Sequence, residues 1–453
     1  MGVKRPLLST VKGGAVLFPP LVLLLSACAG PSTAMRRKVD AKLAAGDYAG
    51  AEAVLQGAKD GSYGKKNRVL YSLDLGAVQH DAAQYKESDR NFADAETEMD
   101  ALYTKSLHQA AGTMLLNDNT VDYAGERFER ALVNVYRALN YLYLDSRDDA
   151  LVEIRKLSRL LQENADAAGT STAYKDDAFA QYLSGLLYED GGKPDDARIS
   201  FEAADRAYKD YAAAGFGTAP TFDPAPLDGP NGELVFLHAN GVAPRKEGRS
   251  FQVAWGEGLA AINSSSEENS GQARNAARAG FLGHAITVAY PAYVQDIFRI
   301  QRSEIVVDSR TVATQIVENV SAIAQKTLEE RQALIKTRAV ARAAIKFVLA
   351  ETAAKAAAKA CDQLPGGFLA VQGCKLASRV TASAIAAASE ISDTRAWGTL
   401  PAQFLLARMS LPPGDHQVVA RYLDAQGQVV LTRTYTVTIR KGQRAYLHDR
   451  TAL

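Results

Sequence analysis

Residues 34–212 read as amphipathic helices almost throughout, because apolar positions recur at helical spacing and polar positions fill the opposite faces. Within this stretch, small and large residues also recur in a fixed order. The clearest match is Gly185, Tyr188, Gly192, Ala197, Phe201 and Ala204. A second match is Leu75, Gly76, Ala83, Tyr85, Ser88, Phe92 and Ala95. The order predicts pairs of antiparallel helices that approach closely at the small residues.

This order is typical of tetratricopeptide repeats, in which small residues let two helices pack together and large ones fill the gaps between pairs. The intervals between the matches are uneven. The sequence therefore predicts a tetratricopeptide-like helical domain over residues 34–214 with irregular repeats. A plain helical bundle is the alternative, since it uses the same residue types. Arrays of this kind bind partners along a concave face and do not usually perform chemistry.

The pattern changes after residue 214. Residues 215–232 are rich in Gly and Pro and lack periodicity, which indicates a linker. Beyond the linker, short apolar or alternating runs separated by turn residues predict β-strands. The predicted strands are Glu233–Ala239, Ala285–Tyr290, Glu304–Val307, Gln403–Leu411, Gln417–Leu423, Val429–Ile439 and Arg444–His448.

Helical periodicity interrupts these strands at about residues 311–392. Thr311–Leu328 and Glu329–Ala360 each place apolar residues on one helix face, and Ala377–Ser392 predicts a third helix. Seven short strands suffice for two packed sheets. We therefore expect residues 233–453 to form a small β-sandwich-like domain with a helical insertion, and the fold class to be α+β.

The first 27 residues have the pattern of an export signal. A positive segment precedes an apolar run over residues 15–25, which is shorter than the ~20 residues of a spanning helix. The run ends in Leu25–Cys28, which reads LSAC and matches the lipobox of bacterial lipoproteins, where the cysteine thiol takes a diacylglycerol before cleavage. The sequence predicts a signal peptide over 1–27, a lipidated Cys28 that begins a short linker over 28–33, and, from Ala29, sorting to the outer membrane.

Composition and charge exclude some classes of partner. Of the 453 residues, 47% are hydrophobic and 23% are charged, as in globular proteins. Removing Lys4, Arg5 and Lys12 with the signal peptide changes the formal net charge from +1 to −2. A nearly neutral chain offers no electrostatic reason to bind nucleic acid.

Cys361 and Cys374 are the cysteines that remain after Cys28. They enclose a turn-rich segment that contains Pro365, Gly366 and Gly367. In the oxidising periplasm such a pair is easily bridged, and a bridge would stabilise the fold by ~3 kcal/mol in the chain-entropy model. We predict a disulfide, with two independent thiols as the alternative. No His or further Cys lies nearby, which argues against zinc.

Motifs that carry chemistry are nearly absent from the sequence. The six histidines do not show the i, i+4 spacing of a helical metal site, and there is no Gly-x-Ser-x-Gly elbow. Ser62 and Lys65 have Ser-x-x-Lys spacing without its companion motifs, so a turn is the simpler interpretation. We expect no metal and no cofactor. A catalytic triad, however, is spatial and would leave no local motif.

Four stretches carry a resemblance over nearly the whole mature chain. They are Gly125–Arg130 with Ala138–Leu142, Val152–Arg155, Glu233–Pro244, and Asp393–Trp397 leading into Leu400 and Pro401. In these stretches the sequence resembles an uncharacterised proteobacterial family of tetratricopeptide-repeat-containing lipoproteins. Members of that family are often encoded beside lipoproteins similar to activators of penicillin-binding proteins, so the resemblance implies work in the cell envelope.

Asp393, Arg395 and Trp397 form the candidate cluster of the last stretch. Two roles fit them. They would form a ligand site, or they would lock the helical insertion onto the strands through an Asp–Arg ion pair beside a buried indole. We expect the structural role.

The anchor, the repeats and the missing motifs together predict a non-enzymatic scaffold, lipid-anchored to the outer membrane and facing the periplasm. Its partner would be a periplasmic or outer-membrane protein involved in cell-envelope assembly. The alternative is an envelope enzyme that acts on peptidoglycan or lipid at the junction of the insertion with the strands. A pocket near Asp393 and Arg395 lined by several ionisable residues would favour that alternative.

Overall fold

The first half of the chain is helical. The computed structural model describes residues 31–109, 121–168, 173–222, 229–254, 285–363, 367–377 and 391–453. Before residue 215 these residues include α1 (Thr33–Ala44), α2 (Tyr48–Ala58), α3 (Arg68–Asp81), α4 (Tyr85–Gln109), α5 (Arg127–Tyr143), α6 (Arg147–Ala168), α7 (Ala178–Asp190) and α8 (Pro194–Ala214). A π-helical turn (Lys59–Tyr63) and a 3-10 turn (Lys65–Asn67) connect α2 to α3. Each helix packs against the next along the chain.

The eight helices pair into four hairpins that share one type of turn. Three residues join the two helices of each hairpin, and the middle residue has a positive φ: Gly46, Ala83, Asp145 and Gly192. In every turn the following residue donates its backbone N–H to the carbonyl five residues earlier, as Lys193 does to Tyr188. The middle residue of each turn therefore has the left-handed backbone conformation, which glycine adopts without strain.

Two glycines inside the helices determine how closely their hairpin partners approach. A Cβ added to Gly185 of α7 would lie 2.5 Å from the ring of Phe201 in α8. A Cβ added to Gly76 of α3 would lie 3.0 Å from the ring of Phe92 in α4. These glycines and phenylalanines belong to the two sequence matches, so the close approach predicted from their order is present in both hairpins.

The second half of the chain forms sheets. Its described strands are β1 (Gly232–Asn240), β2 (Arg245–Ala254), β3 (Ala285–Val294), β4 (Arg302–Val307), β5 (Arg310–Ala313), β6 (Gln315–Glu318), β7 (Gln403–Leu411), β8 (Gly414–Leu423), β9 (Val429–Ile439) and β10 (Arg444–Thr451). A central sheet has the order β10-β1-β7-β6, in which β1 runs parallel to β10 and antiparallel to β7. An outer sheet has the order β5-β4-β8-β9, and β2 pairs with β3 as a separate two-stranded sheet.

The central sheet is buried on both faces, and β1 is buried along its whole length. Alternate residues of a strand point to opposite faces. Val235 and Leu237 therefore join a hydrophobic core that the helices supply, whereas Leu234 joins a second core shared with the outer sheet. Phe404 of β7 stacks on Phe179 of α7, with 5.4 Å between the ring centres. The helices and the central sheet thus have one core in common.

A single long helix, α9 (Val320–Cys361), lies between β6 and β7 in the chain. Its 42 residues give a length of about 63 Å. Its Ala339–Ile345 segment packs on β2 and β3, around Val253 and Val288. After Ile345, only Ala354 and Cys361 among its residues are buried. Within the described ranges, no helix is both long enough and apolar enough to cross a membrane.

The expected order of the chain, helices first and strands afterwards, is confirmed. β7 and β9 have the predicted bounds. The prediction of a helix from Thr311 is wrong in its first turns, because β5 and β6 occupy those residues and the helix begins at Val320. Pairing of β5 with β4 and of β6 with β7 outweighs the helical spacing of the local apolar residues.

Two further elements remain to be compared, a strand that was not predicted and a predicted helix. β2 was not predicted, since its residues RKEGRSFQVA begin with charges and contain a glycine, and only its pairing with β3 makes it a strand. The helix predicted over Ala377–Ser392 lies almost entirely outside the described residues.

Candidate functional site

Arg395 is buried where the segment preceding β7 meets the helices. Its guanidinium donates to both carboxylate oxygens of Asp393, from Nε at 2.9 Å and from Nη2 at 2.8 Å. Nη1 donates to Asn67 Oδ1 at 3.2 Å, and the guanidinium lies 5.2 Å from the ring centre of Tyr123. Such a two-pronged pair is strong and directional. The bonds from Nη1 to Asn67 and to the carbonyl of Val121 fix the segment against the start of α3 and against the residues that precede α5.

Trp397, two residues further on, is fully buried among aromatic rings of the helices. Its ring centre lies 5.5 Å from that of Phe92 and 5.6 Å from that of Tyr136. The indole N–H donates to Thr399 Oγ1 at 3.1 Å, and the backbone N–H donates to Glu129 Oε1 at 2.8 Å. Asp393 and Arg395 thus form an ion pair, and Trp397 packs against the helices, so the contacts of this segment tie it to α4 and α5 and to the start of α3.

Asp74 of α3 holds the next two residues of the same segment. Its Oδ1 accepts backbone N–H groups from Gly398 at 2.9 Å and from Thr399 at 3.0 Å, while Oδ2 accepts the hydroxyl of Tyr63 at 2.7 Å. Burial raises the pKa of Asp74, and these hydrogen bonds oppose that rise. The carboxylate thus satisfies backbone donors that would otherwise be buried without partners.

A cleft of about 80 Å³ opens beside this junction. Its ionisable lining residues are Arg36, Asp40, Asp74, Arg245, Lys246 and Arg395. Several of them already have charged partners: Lys246 pairs with Glu126 at 2.6 Å, and Arg245 pairs with Glu247 at 3.0 Å. Burial raises the pKa of Asp40. The cleft therefore combines ionisable residues with a volume of only a few water molecules.

A second buried charge network joins α7 to the central sheet. Glu233 of β1 accepts hydrogen bonds from Arg408 Nε at 2.6 Å and from Arg444 Nε at 2.7 Å. Arg444 Nη1 also donates to Asp190 of α7 at 2.8 Å. All four side chains are almost completely shielded from solvent. Charges that are buried, paired and hydrogen-bonded in this way hold packed elements in register.

A third buried cluster joins α3 to β10. The Nδ1–H of His80 donates to Asn140 Oδ1 at 2.6 Å, and its ring centre lies 4.8 Å from that of His448. Asp81 Oδ2 lies 3.3 Å from Arg450 Nε. Burial lowers the pKa of His80 to about 4 and raises that of Asp81 to about 7. Both residues favour their neutral forms because water is excluded from them.

The structure describes two of the three cysteines. Cys361 and Cys374 form a disulfide with 5.9 Å between their Cα atoms. It connects the end of α9 to residues 368–377, which are helical. Cys28, the predicted lipidation site, lies outside the described residues. Within the part of the chain that the structure describes, no three His, Cys, Asp or Glu side chains are grouped to hold a metal ion.

Sequence reasoning missed the helical partners of the predicted cluster. Glu129 and Asp74 lie more than 250 residues before the segment they hold, so no local spacing connects them to it. One signal was available: Asp74 stands between Leu73 and Leu75, inside an otherwise apolar helix face. A carboxylate at such a position needs buried donors.

Comparisons with protein-family models, with curated proteins and with solved structures find no match to this chain. Its function therefore has to be inferred from the residues and their geometry.

The buried His80 predicts a specific dependence of stability on pH. Because its pKa is about 4 in the folded chain and ordinarily about 6.5, the unfolded chain binds a proton first as the pH falls. The folded state should lose about 3 kcal/mol from this residue between pH 6.5 and pH 4. His80→Gln removes the titrating group. The free energy of unfolding of this variant should therefore fall less between pH 6.5 and pH 4 than that of the unaltered protein.

Urea unfolding of both proteins at several pH values measures this difference. Asp81 and Asp449, whose pKa values burial raises to about 7, shift stability in the opposite direction. They are present in both proteins, so their effect largely cancels in the comparison. Parallel pH profiles for the two proteins would show that His80 does not stay neutral in the fold.

Proposed function

We propose that this protein is a lipid-anchored, non-enzymatic partner-binding protein of the outer membrane, facing the periplasm and acting in cell-envelope assembly. The export signal and Cys28 support the anchor. The helical hairpins support partner binding. The internal pairing of the charges at the predicted junction supports a structural role for them, as the contacts of Arg395 and Asp74 illustrate.

We assign the four hairpins to a tetratricopeptide-like array and the central and outer sheets to a sandwich-like pair. Equal three-residue turns and the two glycine–phenylalanine contacts support the first assignment. The core shared between the two four-stranded sheets supports the second. Membership of the lipoprotein family that the sequence resembles remains part of this proposal.

One observation carries the proposal and determines where a partner would bind: the chain's own sheet covers a face of the helical array. Phe404 of β7 packs against α5 and α7, and Trp397 packs against α4 and α5. Arg450 of β10 is buried against α3. A face that is filled by the chain itself is not available to another protein. We therefore look for the partner site on helix surfaces that the sheet does not cover.

A groove of about 50 Å³ lies between α4, α5 and α6. Its apolar lining residues are Met99, Val133 and Leu160. Charges of both signs surround them, including Arg130, which pairs with Asp100 at 2.7 Å. Met99 and Val133 are almost completely buried, so Leu160 is the apolar side chain that an anchoring group of a protein partner would contact in this groove.

A pair of matched variants on α6 tests this site. Leu160→Glu places a charge on the groove floor and should reduce capture of the envelope partner by about ten-fold or more. Val152→Glu is the control, because Val152 is an exposed apolar residue of the same helix that does not line the groove. The measurement is crosslinking and affinity capture of the membrane-tethered protein from intact cells.

Deletion of the helical array cannot test partner binding, because the array shares its core with the central sheet and the rest of the chain would lose that core. Equal capture by both variants would place the partner elsewhere. Recovery of no specific partner by the unaltered protein would contradict the partner-binding function itself.

The anchor is tested separately by Cys28→Ser. Without the thiol, neither acylation nor lipoprotein-type cleavage should occur, so labelled palmitate should mark the unaltered protein and not the variant. The variant should persist at its unprocessed size. Labelling that survives the substitution would contradict the lipid anchor, and density fractionation of the unaltered protein distinguishes the outer from the inner membrane.

An envelope enzyme that acts on peptidoglycan or lipid is the second candidate, and the cleft beside Arg395 favours it. Asp40 lines that cleft, and burial raises its pKa, as general acids require. Release of product from purified peptidoglycan or phospholipid by the protein, with loss of release in Asp40→Asn, would support this function over the first. We expect no release from either protein.

A further inference from the structure

Large apolar side chains are exposed in the helical residues 368–377, which the disulfide links to the end of α9. We call residues 349–363 and 367–377 the tip. Phe368, Leu369 and Leu376 of the tip are 77%, 85% and 66% exposed. Large apolar side chains grouped at such exposures usually mark a surface that contacts something else.

The disulfide presents these side chains in a constrained position. Phe368 and Leu369 lie within the loop that the Cys361–Cys374 bridge closes. Lys375, next to the bridge, pairs with Asp362 at 2.6 Å on the other side of it. The bridge and the ion pair therefore tie the segment that carries Phe368 and Leu369 to the end of α9.

The tip stands away from the main core. Arg331 of α9 is still held by Glu126, at 2.9 Å. From there to Cys361 the helix rises by about 45 Å. After Ile345 it buries only Ala354 and Cys361. The apolar side chains are thus displayed far from the residues that fix the base of the helix.

The area of the tip argues against a second copy of the chain as its occupant. At their observed exposures, Phe368, Leu369 and Leu376 offer on the order of 400 Å². A stable protein–protein interface needs about 800 Å² from each partner. Burial of these three side chains alone would therefore leave a dimer weak, and a second copy would have to bury polar surface of the tip as well.

A bilayer surface fits the same area and the same chemistry. Phe and Leu side chains partition into the boundary between headgroups and acyl chains, and lysines beside them extend to the anionic headgroups. Lys355 and Lys359 lie in exposed positions on the last turns of α9. Three apolar side chains give only weak affinity, but a chain already tethered by lipid needs little more, since tethering raises the local concentration of the membrane.

We infer that the tip inserts into the interface of a phospholipid bilayer and gives the protein a second, reversible membrane contact. This contact is additional to the lipid on Cys28 and does not depend on the partner-binding role proposed above. It would fix the orientation of the helical array relative to the membrane, which a lipid on Cys28 alone does not do.

The test uses the mature chain without its lipid, Ala29–Leu453, exported so that the disulfide forms. Because the contact is weak without the lipid tether, co-flotation with vesicles of phosphatidylethanolamine and phosphatidylglycerol is measured at rising lipid concentration, up to the highest that can be floated. The unaltered chain should float with the vesicles, and Phe368→Ser/Leu369→Ser should reduce the bound fraction by about ten-fold. Ile199→Ser is the matched control, because Ile199 is an exposed apolar residue of α8, and it should bind as the unaltered chain does.

The substituted residues are exposed, so circular dichroism should show the same fold in all variants. Equal flotation of the double variant, or no flotation of the unaltered chain, would overturn the inference. Sedimentation without vesicles tests whether a second copy of the chain occupies the tip. A dimer that forms in the unaltered chain and is lost in the double variant would assign the tip to that second copy and would also overturn the inference.

Discussion

The fold depends on buried carboxylates of one half of the chain being satisfied by donors of the other half. Asp74 and Glu129, on α3 and α5, accept backbone N–H groups from the segment that leads into β7. Asp190 of α7 accepts a hydrogen bond from Arg444 of β10, which also pairs with Glu233 of β1. A buried carboxylate without such donors would destabilise the fold strongly. The helices and the central sheet are therefore expected to fold as one unit, although residues 215–232 between them have the Gly- and Pro-rich composition of a linker.

This arrangement changes what the helical array can do. Repeat arrays offer a concave face to their partners, whereas here strands of the same chain fill a face of the array around Trp397 and Phe404. In the function proposed above, the array would serve as a support, and a partner would bind at surfaces that the sheet leaves open. The groove on α4–α6 and the tip of α9 are two such surfaces on different parts of the molecule. A lipid on Cys28 would hold both at the membrane.

The sequence predicts the elements better than their association. The spacing of Gly185 and Phe201 predicts a close helix pair because both residues act within one hairpin, and the contact is present. The nearly continuous apolar run of β7 and the alternation in β9 likewise predict strands whose bounds are confirmed. The prediction of a helix from Thr311 is wrong in its first turns, because pairing of β5 with β4 and of β6 with the distant β7 decides the conformation of these residues. Arg395 and Trp397 were recognisable as a cluster, but their helical partners were not, since contacts across hundreds of residues leave no local pattern.

Native-state hydrogen exchange in increasing urea tests the single core most directly. The amides of β1 and those of α5 and α7 lie on the two sides of that core. If the two halves fold as one unit, the best-protected amides of all three elements should exchange through the same opening, with the same free energy and the same dependence on urea. Exchange of β1 through an opening of lower free energy, while α5 and α7 remain protected, would show that the sheet opens independently and would contradict the account.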